Sequence, residues 1–226
     1  MIGQLAWEKR GHGRAHQAEL YGLKVLRVWA DPEGWWGERR LRRAGRSLRR
    51  WGALRALVPA EFARWDLLEQ EGVTGIDPAP FLKAQGARLT LRYLERQGTA
   101  PDRATVALVG NRADRDMMRV ATELCPKVRH LVIAAPRGGR ELAEWLRWEF
   151  GVPILPQEEP AQANVWFSPG QVQRAEERLE LYGTTPSLGG MAVWAPALAQ
   201  EDCGQLPLLT ALWENGKLGA EGVKIT

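Results

Sequence analysis

Cysteine is nearly missing from this 226-residue chain, which has only Cys125 and Cys203. The two stand far apart and form no CxxC pattern, which excludes a disulfide framework or a thiolate metal knuckle as the organising device; both thiols read as structural. Histidine is almost as scarce, with three residues. His12 and His16 would share a helix face, but Gly11 and Gly13 oppose helix and no acidic partner is near, so a metal site is not expected. No apolar run approaches the roughly 18 to 20 residues that a membrane span requires. The first ten residues carry no basic-then-apolar export pattern, and the expectation is a cytoplasmic protein. Neither a Ser-His-Asp set nor a paired-carboxylate site can be assembled from the sequence.

What is present is ordinary in bulk and biased in detail. Hydrophobic residues make up 45% and charged residues 26%, the balance of a globular protein long enough for one large domain or two small α/β lobes. The basic residues are 25 Arg against 6 Lys. Eleven Trp are scattered along the chain, and their expected role is filling cores.

The segment 104–152 organises the rest. Residues 105–109 are a short β-branched and apolar run closed by Gly110, which reads as a buried strand. Asp114 then caps a helix whose Met117, Val120, Ala121 and Leu124 fall on one face, and Pro126 ends it. Residues 128–135 make a second strand, with a continuous apolar run suited to a sheet covered on both sides. Pro136 to Gly139 turns the chain into a helix marked by Leu142, Trp145 and Leu146, and short strands follow at 152–155 and 164–167. Strands alternating with helices of this length imply a parallel, doubly wound sheet.

Before this segment, residues 4–8 suit an edge strand, 11–16 a glycine loop, and 23–30 the first full strand. Residues 36–51 predict a helix with Leu41, Ala44, Leu48 and Trp51 as its apolar stripe and seven arginines on the other faces. A strand at 53–58, a helix at 60–71 and a turn-rich crossing at 73–80 lead to one long helix at 81–97. Strand, helix, strand, helix thus occurs twice, which suggests two similar βαβα halves: residues 1–80 and 99–226, joined by the helix at 81–98. Beyond them, 171–181 reads as a polar helix, 191–199 as a late strand or buried loop, and 207–217 as a last helix.

Residues 104–170 resemble the NADP-binding Rossmann domain of the shikimate dehydrogenase and glutamyl-tRNA reductase type. The likeness is carried by Val106-Ala-Leu-Val-Gly110 as first strand and by Asn164-Val-Trp-Phe-Ser-Pro-Gly170 as a late strand with a Pro-Gly loop. It implies NADP as cofactor and places Gly110, Asn111, Arg112 and Ser168 at the nucleotide, with Arg137 and Arg140 where a 2′-phosphate would be held. The glycine motif is degenerate: Arg112 stands where a second glycine would let the backbone approach the pyrophosphate, and Asp114 brings negative charge to that place. No catalytic Lys-Asp pair matches.

Charge supplies a different reading. Residues 1–55 hold 13 basic against 5 acidic side chains, whereas 56–226 hold 18 against 22. The positive charge is therefore local, and Arg39, Arg42, Arg43, Arg46, Arg49 and Arg50 form a face for nucleic acid, an anionic surface or an acidic protein. Its plainer reading is a solvated helix surface without interleaved aromatics. Three functions follow in order: a non-catalytic or regulatory module for a small ligand, an NADP-dependent oxidoreductase, and a binder of an anionic partner.

Overall fold

The computed structural model describes residues 1–9, 12–169 and 178–226, with the backbone alone at 12 and 13. It divides into two compact units, Met1–Asp77 with Trp194–Val223, and Pro78–Val193 with Lys224–Thr226. The chain thus leaves the first unit, builds the second and returns. These are not the segments drawn from the sequence: Pro78 onward counts with the second unit, and the last helix counts with the first.

The first unit holds a five-stranded sheet in the order β2-β3-β1-β4-β5, formed by β1 (Ile2–Trp7), β2 (His12–Leu20), β3 (Leu23–Ala30), β4 (Arg55–Leu57) and β5 (Thr74–Gly75). All neighbours are parallel except β2, which runs antiparallel to β3 along one edge. Two expectations need correcting. Residues 2–7 form the central strand rather than an edge, because Ile2 and Leu5 are buried between β3 and β4. Residues 12–16 belong to β2 rather than to a loop; the register shift between His12 and Ala15 absorbs the irregularity that the glycines signal.

Two helices lie between the strands of this sheet, α1 (Gly37–Arg50) and α2 (Trp65–Glu69). Helix α1 packs on β2, β3 and α2. Leu41, Ala44 and Leu48 enter a core with Leu5, Leu26, Val28, Phe62 and Leu68. Arginine is a good helix former, Glu38 lies in the first turn, and Arg49 and Arg50 lie in the last, so the charges also suit the helix dipole. Gly45 brings α2 close: a Cβ there would stand 3.1 Å from Glu71 Cβ and 3.3 Å from Leu68 Cδ2. Helix α2 is much shorter than the predicted 60–71, since a turn closed by Phe62 N–H on the Pro59 carbonyl takes up the first residues.

The second unit contains an all-parallel sheet of β6 (Thr105–Val109), β7 (His130–Ala134), β8 (Ile154–Leu155), β9 (Ala163–Trp166) and β10 (Leu179–Glu180), in the order β10-β9-β6-β7-β8. Strands β6 and β7 pair in parallel from Thr105 with His130 to Val109 with Ala134, as the continuous apolar runs predict. Counted from β6, the order is 3-2-1-4-5, that of a Rossmann-like domain. Ala107, Val109, Val132, Ala134 and Trp166 share one buried cluster.

The single helix predicted at 81–97 is broken. It comprises α3 (Ala79–Ala84) and α4 (Gly86–Arg96), with buried Gln85 leaving helical geometry between them. The break sits beside a tight contact with α5 (Arg115–Leu124): a Cβ on Gly86 would lie 2.8 Å from Val120 Cγ2. Helix α6 (Gly139–Phe150) covers β7 and β8. The polar helix expected at 171–181 lies for the most part outside the described residues, and its last residues belong to β10. The remaining elements are α7 (Leu206–Glu214) and a two-stranded ladder of β11 (Val193–Trp194) with β12 (Lys224–Ile225). Among the described residues no helix is long and apolar enough to cross a membrane.

Candidate functional site

The carboxyl edge of the second sheet is where a Rossmann-like domain holds its ligand, in the crevice between its first and fourth strands. Here those strands are β6 and β9, followed by Gly110 and by Phe167 and Ser168. Three backbone donors of this edge already have partners. Gly110 N–H donates to the Ala134 carbonyl at 3.1 Å, and Ala113 N–H to the Arg137 carbonyl at 2.8 Å. Asn111 N–H donates to Ser168 Oγ at 2.9 Å, directly between the two strands. Arg112 and Arg137 form an isolated parallel bridge through their backbones.

Asp114 completes the closure. Its Oδ1 accepts the Met117 N–H at 2.9 Å, so the helix terminus that would face a pyrophosphate is capped by a carboxylate of the chain itself. Lys83 Nζ lies 3.9 Å from the other oxygen and offsets part of its charge. Gly110 provides close packing: a Cβ there would meet Met117 Cε at 3.1 Å and Ser168 Oγ at 3.3 Å. Of the basic pair assigned to a 2′-phosphate, Arg137 is exposed and Arg140 sits 3.8 Å from Glu144 one helical turn on. Gly110, Asn111, Arg112, Arg137 and Ser168 are thus brought together, and the bonds they make are to one another and to their own sheet.

The first unit presents a different arrangement. Between α1 and β2 lies an open groove of about 760 Å³, lined by Arg14, Ala15, Trp36, Arg39, Arg40, Arg43, Arg46, Ser47, Arg50 and Trp51. Arg39, Arg43, Arg46 and Arg50 recur four, three and four residues apart, which places them on one face of α1. Arg14 reaches the same space from β2. Ser47 Oγ accepts the Ala15 N–H at 3.1 Å and fixes strand against helix at the floor.

Some of these cations are partly neutralised: Arg40 pairs with Asp31 at 2.8 Å and Arg46 with Glu71 at 3.6 Å. Among the described residues, Arg14, Arg43 and Arg50 form no ion pair. Six guanidinium groups around one concavity repel each other unless an anion enters it, and the low walls concentrate their field there. Arg42 and Arg49 do not line the groove.

Aromatic side chains are the part that the sequence reading missed. Trp36 and Trp51, at the two ends of α1, are 52% and 59% exposed, and Trp35 is 92% exposed. The expected apolar stripe therefore stops at Leu48, and Trp51 turns outward. Arg39 lies over the Trp36 ring at 5.3 Å, a cation–π contact on the groove wall. Trp145 and Trp148 are also exposed, so core filling does not account for the tryptophan content. The signal that was available is the 4-3-4 spacing of arginines with a Trp at each end.

Cys125 is buried, and burial pushes its thiol up to about 11, leaving it a poor nucleophile. Among the described residues no group of three His, Cys, Asp or Glu could hold a metal ion. The ring of His16 instead stacks on Trp29 at 4.2 Å.

The architecture therefore defines an α/β protein with a Rossmann-like unit whose carboxyl edge is tied by bonds of the chain itself. No family model and no curated protein matches the sequence. Among solved structures it is similar to L-tryptophan dehydrogenase from Nostoc punctiforme, with a TM-score of 0.32, 16% identity, and coverage of 64% of this chain and 44% of that one. It is also similar to a chorismate mutase/shikimate 5-dehydrogenase fusion protein from Clostridium acetobutylicum, with a TM-score of 0.24, 10% identity, and coverage of 73% and 66%. The chain spans less than two thirds of either protein's length, and both likenesses are distant.

Proposed function

We propose that the protein is a non-catalytic binding module for a polyanionic ligand, held in the groove between α1 and β2. The observation that carries this is the convergence of six arginines from two elements on one open concavity of about 760 Å³. A solvated arginine helix needs no second element contributing charge to the same space, and Arg14 does so. Guanidinium groups are planar, permanently charged donors that match phosphate oxygens two at a time, which favours a phosphate-bearing ligand. The two free cysteines suit the cytoplasmic setting read from the sequence.

The NADP-dependent reading is weaker on this geometry. Its phosphate-binding donors are used within the sheet edge, and Asp114 takes the helix terminus. A small-ligand module in the second unit would have to use the same closed edge.

Chromatography of the full chain on heparin tests the reading. It predicts retention that weakens steeply with salt, because each phosphate-type contact released returns condensed counterions. Passage through the column at low salt would refute it. A shift of the thermal transition by NADPH that survives Arg43→Glu with Arg50→Glu would favour the NADP-dependent reading instead.

A further inference from the structure

We propose that the groove along α1 takes single-stranded nucleic acid, with the indoles of Trp36 and Trp51 as stacking platforms for bases and the arginines between them as contacts for phosphates. This rests on the polyanion reading above and adds the identity of the polymer.

Trp36 and Trp51 are two side chains that a simple phosphate site does not need. Large apolar rings left half in water cost solvation, and both line the arginine groove. An acidic peptide or free polyphosphate would satisfy the guanidinium groups and leave the indoles wet. Only a polymer that alternates phosphates with flat rings satisfies both kinds of group, and stacking on aromatics beside a basic track is how such strands are held without sequence readout.

Spacing agrees. Helix α1 has 14 residues and is therefore roughly 21 Å long. The indoles at its two ends bracket room for about four nucleotides, the low end of single-stranded site sizes. Between them Arg39, Arg43, Arg46 and Arg50 follow the helix in one row.

Competing partners fit less well. A duplex keeps its bases stacked on each other and offers no free ring face to an indole along its side. An anionic membrane would be engaged by burying an apolar helix face among acyl chains. The apolar face of α1, Leu41, Ala44 and Leu48, is instead spent on the unit's own core.

The test uses the full chain and fluorescein-labelled octathymidylate, read by anisotropy. Inorganic polyphosphate, a duplex of equal length and vesicles of anionic phospholipid serve as competitors. The single strand is expected to bind and to be displaced more weakly by polyphosphate of equal charge than by unlabelled strand. Trp36→Ala and Trp51→Ala are each expected to weaken it by roughly tenfold, the scale of one lost stacking contact, with a much smaller loss of heparin retention and an unchanged thermal transition. Trp36→Phe should restore most of the loss. Retention on heparin combined with no effect of either Trp substitution, or with stronger binding of the duplex or the vesicles, would overturn this proposal and leave the polyanion reading standing. Absence of both heparin retention and strand binding would overturn both.

Discussion

The two units are built on the same plan and leave different surfaces open. Each has a five-stranded sheet, mostly parallel in the first unit and all-parallel in the second, with its first strand in the centre and later strands added on both sides. In the second unit, the carboxyl edge that such sheets use for ligands is closed by Asn111 on Ser168, Ala113 on Arg137, and Asp114 on its own helix. In the first unit the open concavity lies along one helix, against an antiparallel edge strand that the second unit lacks. A Rossmann-like strand order thus indicates where a ligand site can form, and the turn after the first strand decides whether it does.

Charge reversal separates the units most sharply. Arg43→Glu with Arg46→Glu and Arg50→Glu is expected to lower affinity for polyanions by about a thousandfold, and to reduce the dependence of log K on log salt by about two for a single strand. Arg137→Glu with Arg140→Glu in the second unit should change neither. Equal losses from both sets would erase the distinction.

Stability comes next. Leu48→Ala removes a fully buried side chain at the base of α1 and is expected to cost about 2–5 kcal/mol in denaturant unfolding, with loss of heparin retention as the groove wall loosens. Gly110→Ala forces a Cβ against Met117 and Ser168. It is expected to cost about 1–3 kcal/mol and to leave heparin retention intact. Asp114→Ala removes one helix cap, for about 1 kcal/mol, and the account expects no NADPH binding to appear with it.

The last effect is confined to alkaline pH. The Cys125 thiol ordinarily ionises near 9, and burial raises it to about 11. Between those values the unfolded chain has lost a proton that the folded chain keeps, so stability falls as pH rises through this window and is complete below it. Cys125→Ala should flatten that part of the thermal profile between about pH 9 and 11. At about pH 8, a thiol reagent should modify Cys203 well before Cys125, which is buried.

Much of the second unit was legible because its signals are local. Apolar runs at 106–109 and 131–135, bounded by turn signals, suit strands covered on both faces, and Asp114 caps the helix that its position predicts. The first unit hid more. Strand β1 has only Ile2 and Leu5 as large buried residues and gains its central place from partners at 23–30 and 55–57, which no local pattern reveals. The break at Gln85 arises from the approach of α4 to α5 at Gly86, again a tertiary cause. The groove was half legible: the arginine face is in the sequence, but Arg14 and the outward turn of Trp51 depend on where β2 lies.

The claim that the ligand belongs to the first unit is tested most directly by nuclear magnetic resonance of the full chain titrated with octathymidylate, following backbone amides and indole N–H signals. The account predicts shifts confined to Arg14, Ala15 and the segment from Trp36 to Trp51, with both of those indoles moving. Shifts centred on Gly110 to Asp114 and Arg137 to Arg140, with the indoles of Trp36 and Trp51 unmoved, would contradict it.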